Sequence, residues 1–494
     1  MVSNPNYCST LVMRADVVWD SDGDGGNGSG SGSGGGSGDA DGDGGGDVVP
    51  RWVRVRGYVL TRRLVRRFVP RNPRLDGYLH QSCLFYRQAG GDGDGDGDGD
   101  GDEAAEGGGG GGGSLVIYLP HASSPAEIPF YHPPVEGVAF LHTQTAGVYT
   151  ISIHHLPFAS SPLTLAPQPP TRLHRTLHHL LSTLSRHGAG HLNGYTKRVH
   201  HDTLIPRAQL QDTYLGLKLS HAGRLIGNWV ESTDPQKHVF EDLLIAAWLI
   251  CLWGRMYHHP GEPKEGTRPW TGFVDIGCGN GVLVDILRRE GWTGWGFDAR
   301  KRKTWSVLMP TDDDTTTTTT TDPWLRELLL IPSLLGQDHP AVDPAKTHPG
   351  VFPPHTFLIS NHSDQLTGWT PLLAAYSACP FLAIPCCSYN LSGEKFRAPF
   401  AGGAKGGQGS AYSTLCTWVE NLSSRVGWVV EKEVLRIPST RNVGILGRCM
   451  TTEENEEGEQ HVHERVRRVL QEEGGGEEWV GKVIGLVKEG PKGH

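Results

Sequence analysis

The run Phe273-Val274-Asp275-Ile276-Gly277-Cys278-Gly279-Asn280-Gly281 constrains this chain more than any other stretch. A short, largely apolar run suited to a buried strand ends in three glycines at alternate positions. Val282-Leu283-Val284-Asp285-Ile286-Leu287 then continues as a helix. Glycine at 277, 279 and 281 lets the backbone turn tightly and leaves no Cβ in the space above it. Strand, glycine turn and helix in that order open a doubly wound sheet, whose ligands bind outside the carboxyl ends of the strands at a helix N-terminus. Asp275 lies two residues before the first glycine, and Asp298 seventeen after the last.

The flanking sequence agrees with that architecture. Strand 273–276 leads to a helix over 282–290 with Gly291 as its stop, then to strand 295–298. After an excursion through 306–354, strand 356–360, helix 371–377, strand 381–385 and helix 413–426 follow. Strands 428–437 and 442–447, joined by Pro438-Ser439-Thr440-Arg441, close the domain. The alternation predicts a doubly wound, mostly parallel α/β sheet with an antiparallel strand at its edge.

Upstream, Leu173, Leu177, Leu180, Leu181 and Leu184 fall on one helical face, with Gly188 placed to end it. Helices are also predicted over 209–229 and 235–253, the second with Asp234 as N-cap and Pro235 at its first position. Strands at 52–56, 115–119, 137–141 and 149–153 suggest a small sheet-containing module. The expected divisions are a low-complexity N-terminus (1–50), an N-terminal module (51–165, insert 88–113) and a helical region (166–267). A cofactor domain (268–450, insert 306–354) and an acidic linker with a C-terminal tail (451–494) complete them. The tail has candidate helices at 462–470 and 479–487.

Residues 20–47 and 88–113 are nearly all Gly, Asp and Ser and lack the apolar surface that offsets chain ordering, so disordered inserts are expected there. Together with 311–322 and 451–460 they hold 24 of the 54 acidic residues and no Lys or Arg. The rest of the chain therefore carries 45 basic against 30 acidic residues, opposite in sign to the overall charge of −9. A basic folded portion suits a polyanionic partner. Nine cysteines without a C-x-x-C pair argue against a zinc ribbon or a redox motif and for reduced thiols. With no signal-peptide layout, and with a longest apolar run (243–253) too short to span a bilayer, a cytoplasmic protein free of membrane is expected.

Two cofactor classes compete for the glycine turn. The dinucleotide fingerprint is G-x-G-x-x-G, whereas this chain has G-x-G-x-G with Val at 282. A carboxylate at Asp275 would repel a pyrophosphate but tolerates the ammonium of S-adenosylmethionine (SAM). Asp298, at the end of the second strand, is placed to accept hydrogen bonds from ribose hydroxyls. SAM is the expected cofactor, held by Asp275, Gly277, Gly279, Asn280, Gly281 and Asp298.

Further motifs carry a family resemblance: Arg66-Arg67 with Pro70-Arg71-Asn72-Pro73, Ile128-Pro129-Phe130-Tyr131-His132-Pro133, and Tyr195-Thr196-Lys197-Arg198-Val199. Downstream they continue with Thr233-Asp234-Pro235, Phe240-Glu241-Asp242, Asp298 to Trp305, Asn361 to Thr367, Pro385-Cys386-Cys387, and Leu435 to Thr440. In these the chain resembles the eukaryotic tRNA (uracil-2′-O-)-methyltransferases that modify uridine 44 of serine tRNA. The resemblance spans most of the chain outside the inserts.

It implies a Rossmann-like SAM domain and methylation of a ribose 2′-hydroxyl in tRNA, with serine tRNA as the expected substrate. Such a reaction needs an aligned acceptor and a group to take its proton. Asn361 and His362 are then expected at the cofactor and Asp364 as the base. Arg66, Arg67, Lys197, Arg198, Arg300, Arg302, Lys395, Arg436 and Arg441 are expected at the RNA. Cys386-Cys387 reads either as packing or as a nucleophile for base methylation; ribose methylation needs no covalent adduct, so packing is expected. A methyltransferase for another RNA or a protein, and an inactive tRNA-binding protein, stay open as alternatives.

Overall fold

A computed structural model describes residues 9, 11–21, 49–89, 113–145, 148–159, 171–196, 201–258, 267–309, 323–335, 343–398, 410–451 and 456–489. The low-complexity inserts fall almost wholly outside these residues. The chain forms two compact units, Met1–Thr196 and Lys197–His494.

The first unit is a six-stranded antiparallel sheet in sequential order: β1 (Val12–Asp20), β2 (Tyr58–Pro70), β3 (Leu79–Gln88), β4 (Gly113–Pro120), β5 (Gly137–Thr145) and β6 (Val148–Leu156). Helix α1 (Thr171–Leu192) lays Leu173, Leu177 and Leu180 on Cys83, Tyr118, Val138 and Phe140. Three expectations change here. The N-terminal 50 residues contribute a strand, since β1 pairs with β2 from Val12 opposite Pro70 to Asp20 opposite Leu64. The alternating 52–56 run is not a strand; Arg51 anchors its start by donating to the Pro120 carbonyl at 2.6 Å and the Ser82 hydroxyl at 2.8 Å. Helix α1 runs past Gly188 and belongs to this unit, because its leucine face is buried on this sheet.

The second unit is built on seven strands: β7 (Phe273–Ile276), β8 (Gly294–Asp298), β9 (Leu325–Glu327), β10 (Phe357–Asn361), β11 (Phe381–Ile384), β12 (Trp428–Val434) and β13 (Val443–Met450). Their spatial order is β9-β8-β7-β10-β11-β13-β12. The first five are parallel, and β13 slots antiparallel between β11 and β12. β9 lies within the expected excursion; at three residues it acquires strand character only by pairing with β8.

Apolar residues fill both faces of this sheet. One face carries α2 (Arg207–Gly227), α3 (Pro235–Met256), α4 (Val282–Arg289) and α5 (Trp305–Leu308). The other carries α6 (Thr370–Tyr376), α7 (Ala411–Val426), α8 (Glu456–Glu473) and α9 (Gly476–Glu489). The tail helices thus belong to the core of this unit. So do α2 and α3: Trp253 packs against Trp270, Phe273, Trp292 and Phe357. Asp234 caps α3 as expected, accepting from the Gln236 amide at 2.9 Å. No helix of the described residues is long and apolar enough to cross a membrane.

Candidate functional site

At the carboxyl end of β7 the chain turns through Gly277, Gly279 and Gly281, all at positive φ (77°, 53° and 78°). The three glycines meet different constraints. A Cβ at Gly277 would lie 2.8 Å from the Ser363 Cβ, and one at Gly281 would lie 2.6 Å from a Leu325 methyl; at Gly279 it would point into open space. The two outer glycines are therefore packed against β9 and the loop after β10, while the middle one leaves a cradle above the turn. Asn280 tightens the turn into α4, its side-chain oxygen accepting from the Val282 amide at 2.9 Å. Asp298 holds the loop through the Gly279 amide (3.0 Å) and accepts from the Arg300 amide (3.1 Å). Thr304 and Trp305 complete the brace: the hydroxyl donates to the Asn280 carbonyl at 2.7 Å and the indole to the Gly279 carbonyl at 2.9 Å.

Beside this turn the structure collects buried carboxyl groups. Asp275 is 1% exposed and its Oδ1 finds no hydrogen-bond partner. Burial, then Asp242 and Asp298, push its carboxyl well above the usual range. Helix α3 delivers Glu241 and Asp242, both buried. Glu241 lies 3.1 Å from His362 Nε2, and the Asn361 amide donates to Asp242 at 3.2 Å. Asp242 is pushed up to about 7, first by burial and then by Glu241, with His362 and Asn361 opposing. An orphaned carboxylate oxygen in a group of buried acids fits a ligand carrying an ammonium and a sulfonium, as SAM does.

Beside these groups lies a strained loop. His362 and Asp364 adopt left-handed backbone (φ 54° and 49°), which costs non-glycine residues about 1 kcal/mol or more and tends to persist at functional sites. Cys386 and Cys387 follow β11 there, and neither is core packing: Cys386 is half-buried and Cys387 exposed. The Cys386 thiol neighbours the His362 ring, although His362 Nδ1 has no partner of good hydrogen-bond geometry. Burial disfavours the imidazolium, but Cys386 and Glu241 outweigh it and raise His362 to about 9. His362 in turn lowers the Cys386 thiol, against the opposing effect of burial.

The basic residues expected at RNA divide. Arg66 is 2% exposed, with its guanidinium on Gln81 Oε1 (2.7 and 3.0 Å) and over the rings of Phe68 and Tyr118. That placement makes it a core residue and removes it from the RNA-facing set. Arg436 is half-buried and donates from two of its guanidinium nitrogens to Asp202 (2.6 and 2.5 Å), so its charge is already matched. Arg67 and Arg441 stack on Tyr78 and Tyr412. Arg300 and Arg302 are half-buried beside the glycine loop, and Lys395 is exposed after the double cysteine. Lys197 and Arg198 lie outside the described residues.

Sequence reasoning gave no role to Glu241, Asp242, Thr304 or Trp305 at the cofactor loop. All four stood in the family motifs, but the first pair lies some thirty residues upstream of β7 and the second pair inside a basic stretch read for RNA.

Comparison with known proteins agrees with both units. A family model described as "TRM44-like, N-terminal bet v1-like domain" matches residues 1–198, and one described as a predicted AdoMet-dependent methyltransferase matches residues 204–319. A Neurospora crassa protein named tRNA (uracil-O(2)-)-methyltransferase is 42% identical, with 91% of this chain and 82% of that protein covered. Proteins of the same name from Kluyveromyces lactis and Saccharomyces cerevisiae are each 36% identical. The first comparison covers 100% of this chain and 92% of the relative, the second 87% and 76%. No solved structure matches.

Proposed function

Because the chain belongs to the tRNA (uracil-O(2)-)-methyltransferase family, we propose that it methylates the ribose 2′-hydroxyl of a uridine in tRNA, using SAM. The observation that carries this reading is the open cradle at Gly279 above the orphaned Asp275 carboxylate, at the carboxyl edge of a seven-stranded methyltransferase sheet. SAM supplies a methyl group activated on a sulfonium. Asp275, Glu241 and Asp242 are the buried acids that face its positive charges, and a bound ammonium and sulfonium favour their ionised forms. Gly277, Gly279, Asn280 and Gly281 shape the turn around it, and Asp298 stands at the end of β8 with acceptor capacity toward ribose hydroxyls. Asn361 and His362 close the side toward β10.

Asp364, at the strained turn after β10, is the carboxylate we assign to the acceptor hydroxyl. Arg300, Arg302, Lys395, Arg67 and Arg441, with Lys197 and Arg198, are the residues we assign to the RNA backbone, where they contribute affinity rather than sequence reading. Uridine 44 of serine tRNA is the acceptor proposed on the family resemblance, and the cytoplasm the proposed compartment.

The test is incubation of the purified chain with labelled SAM and serine tRNA, followed by digestion to nucleosides. Labelled 2′-O-methyluridine is expected. In Asp298→Ala, SAM affinity should fall about 10-fold or more. Label appearing on the base, or on added protein, would overturn the assignment.

A further inference from the structure

β10 and β11 are parallel neighbours with Asn361 opposite Ile384, so the loops leaving their carboxyl ends face one another. That register brings Asp364 from one loop against Cys386 and Cys387 from the other. The carboxylate and the two sulfurs all lie within 4.8 Å of one another, the only such trio among the described residues. The Sγ atoms are 3.9 Å apart. Two thiolates on a tetrahedral zinc ion, each about 2.3 Å from the metal, stand about 3.8 Å apart, so the sulfurs already have the needed spacing.

Three further observations bear on this trio. It is reached from solvent, with Cys387 exposed and the other two half-buried. Asp364 adopts a left-handed backbone (φ 49°), a conformation that aspartate takes more readily than most residues, at the turn that sets it beside the cysteines. Ser363, in the same loop, is in close approach to Gly277, so the trio lies on the edge of the sheet that carries the cofactor loop.

The geometry points to a binding site for a soft divalent cation of the zinc class, held by the Asp364 carboxylate and the Cys386 and Cys387 thiolates. Three protein ligands with a fourth position left open is the layout of a zinc site that takes an exogenous oxygen. Resting on the methyltransferase reading above, the oxygen that occupies that position is the acceptor ribose hydroxyl. The cation would lower the hydroxyl's pKa, so that its proton passes to solvent as the methyl leaves the SAM sulfur for the ribose oxygen, and Asp364 would serve as a ligand rather than as a free base. Two thiolates select zinc, cobalt or cadmium over magnesium.

The full-length chain, reduced and stripped with a chelator, is titrated with Co2+ and then with Zn2+. One equivalent of Co2+ should produce a sulfur-to-cobalt charge-transfer band that Zn2+ abolishes. Cys387→Ser, at an exposed position, should weaken Co2+ binding about 10-fold or more with unchanged Tm. Asp364→Asn should keep the band and weaken binding, while Cys449→Ser, at an exposed thiol on β13, should match the parent. A uridine-containing RNA hairpin should shift the visible cobalt spectrum, and its 2′-deoxyuridine counterpart should not.

No band at one equivalent, in protein that still binds SAM by calorimetry, overturns the site, as does a band that Cys387→Ser retains. Full methyl transfer by stripped protein overturns the role in acceptor binding. Loss of SAM binding with the band intact would count against the methyltransferase reading and leave the metal site standing.

Discussion

Asp242 shows how a single buried group ties stability to function. Its carboxyl is held at about 7 against an ordinary 3.8, chiefly by burial and secondly by Glu241. A carboxyl raised in the folded state binds its proton more tightly there than in the unfolded chain. Stability is therefore full below about pH 4 and falls as the pH rises through about 7. Asp242→Asn removes that cost while keeping an oxygen for the Asn361 amide. The ligand-free variant should match the parent near pH 4 and be more stable at pH 8, by on the order of 2–4 kcal/mol. SAM affinity should drop at the same time. Thermal unfolding across pH checks this, and a stability difference that does not vary with pH would refute it. Asp242 was visible in the sequence as part of a motif, but nothing local to α3 says that its carboxylate meets Asn361, 119 residues away.

At the scale of elements, β12 holds the entry to α2 through one side chain. Glu433 is 3% exposed and accepts from the amides of Asp202 (2.8 Å), Thr203 (3.0 Å) and Leu204 (2.8 Å) and from the Thr203 hydroxyl (2.9 Å). Asp202, at positive φ, also clasps Arg436. Bonds to a charged acceptor contribute more than neutral ones, and a buried amide in place of the carboxylate would set donors against donors. Glu433→Gln should lower the urea midpoint, at unchanged m, by about 2–3 kcal/mol of stability. A loss under about 0.5 kcal/mol would show that the loop is held otherwise.

The strands and helices with strong period or caps were legible, among them β7, α4, β10, β11 and the capped α3. β1 and β9 were not. β1 adjoins a polar low-complexity run, and β9 has only three residues, so each is specified by its partner strand rather than by its own pattern.

At the scale of the whole molecule, the acidic inserts set the sign of the overall charge. The β3–β4 pairing runs to Arg87 opposite Ser114, so residues 90–112 leave and return at one hairpin. Replacing them with a short glycine turn should stabilise the chain by about 1–2 kcal/mol through a smaller loop-closure entropy. The change also deletes eight acidic residues, so tRNA binding should tighten at low salt, with SAM affinity unchanged. Denaturant unfolding and filter binding over a salt series would test this. Equal affinities at every salt concentration would show that the insert does not oppose RNA.

Gly277, Gly279 and Gly281 with Asp275 and Asp298 carried the cofactor class by themselves, because the constraint on each is local: a backbone angle, a missing Cβ, a charge beside a turn. The same holds for the alternation that announced a mostly parallel sheet. What only the tertiary structure decided was how distant residues converge. Side-chain chemistry does not encode distance, so Arg66 looked like an RNA contact until burial placed its guanidinium on Gln81. Arg436 looked free until Asp202 met it. Cys386 and Cys387 looked like packing until the β10–β11 register set them against Asp364. Local geometry is written along the chain. Burial and partnership arise when the sheet forms, and at this site they separate the groups held in the core from those left for a ligand.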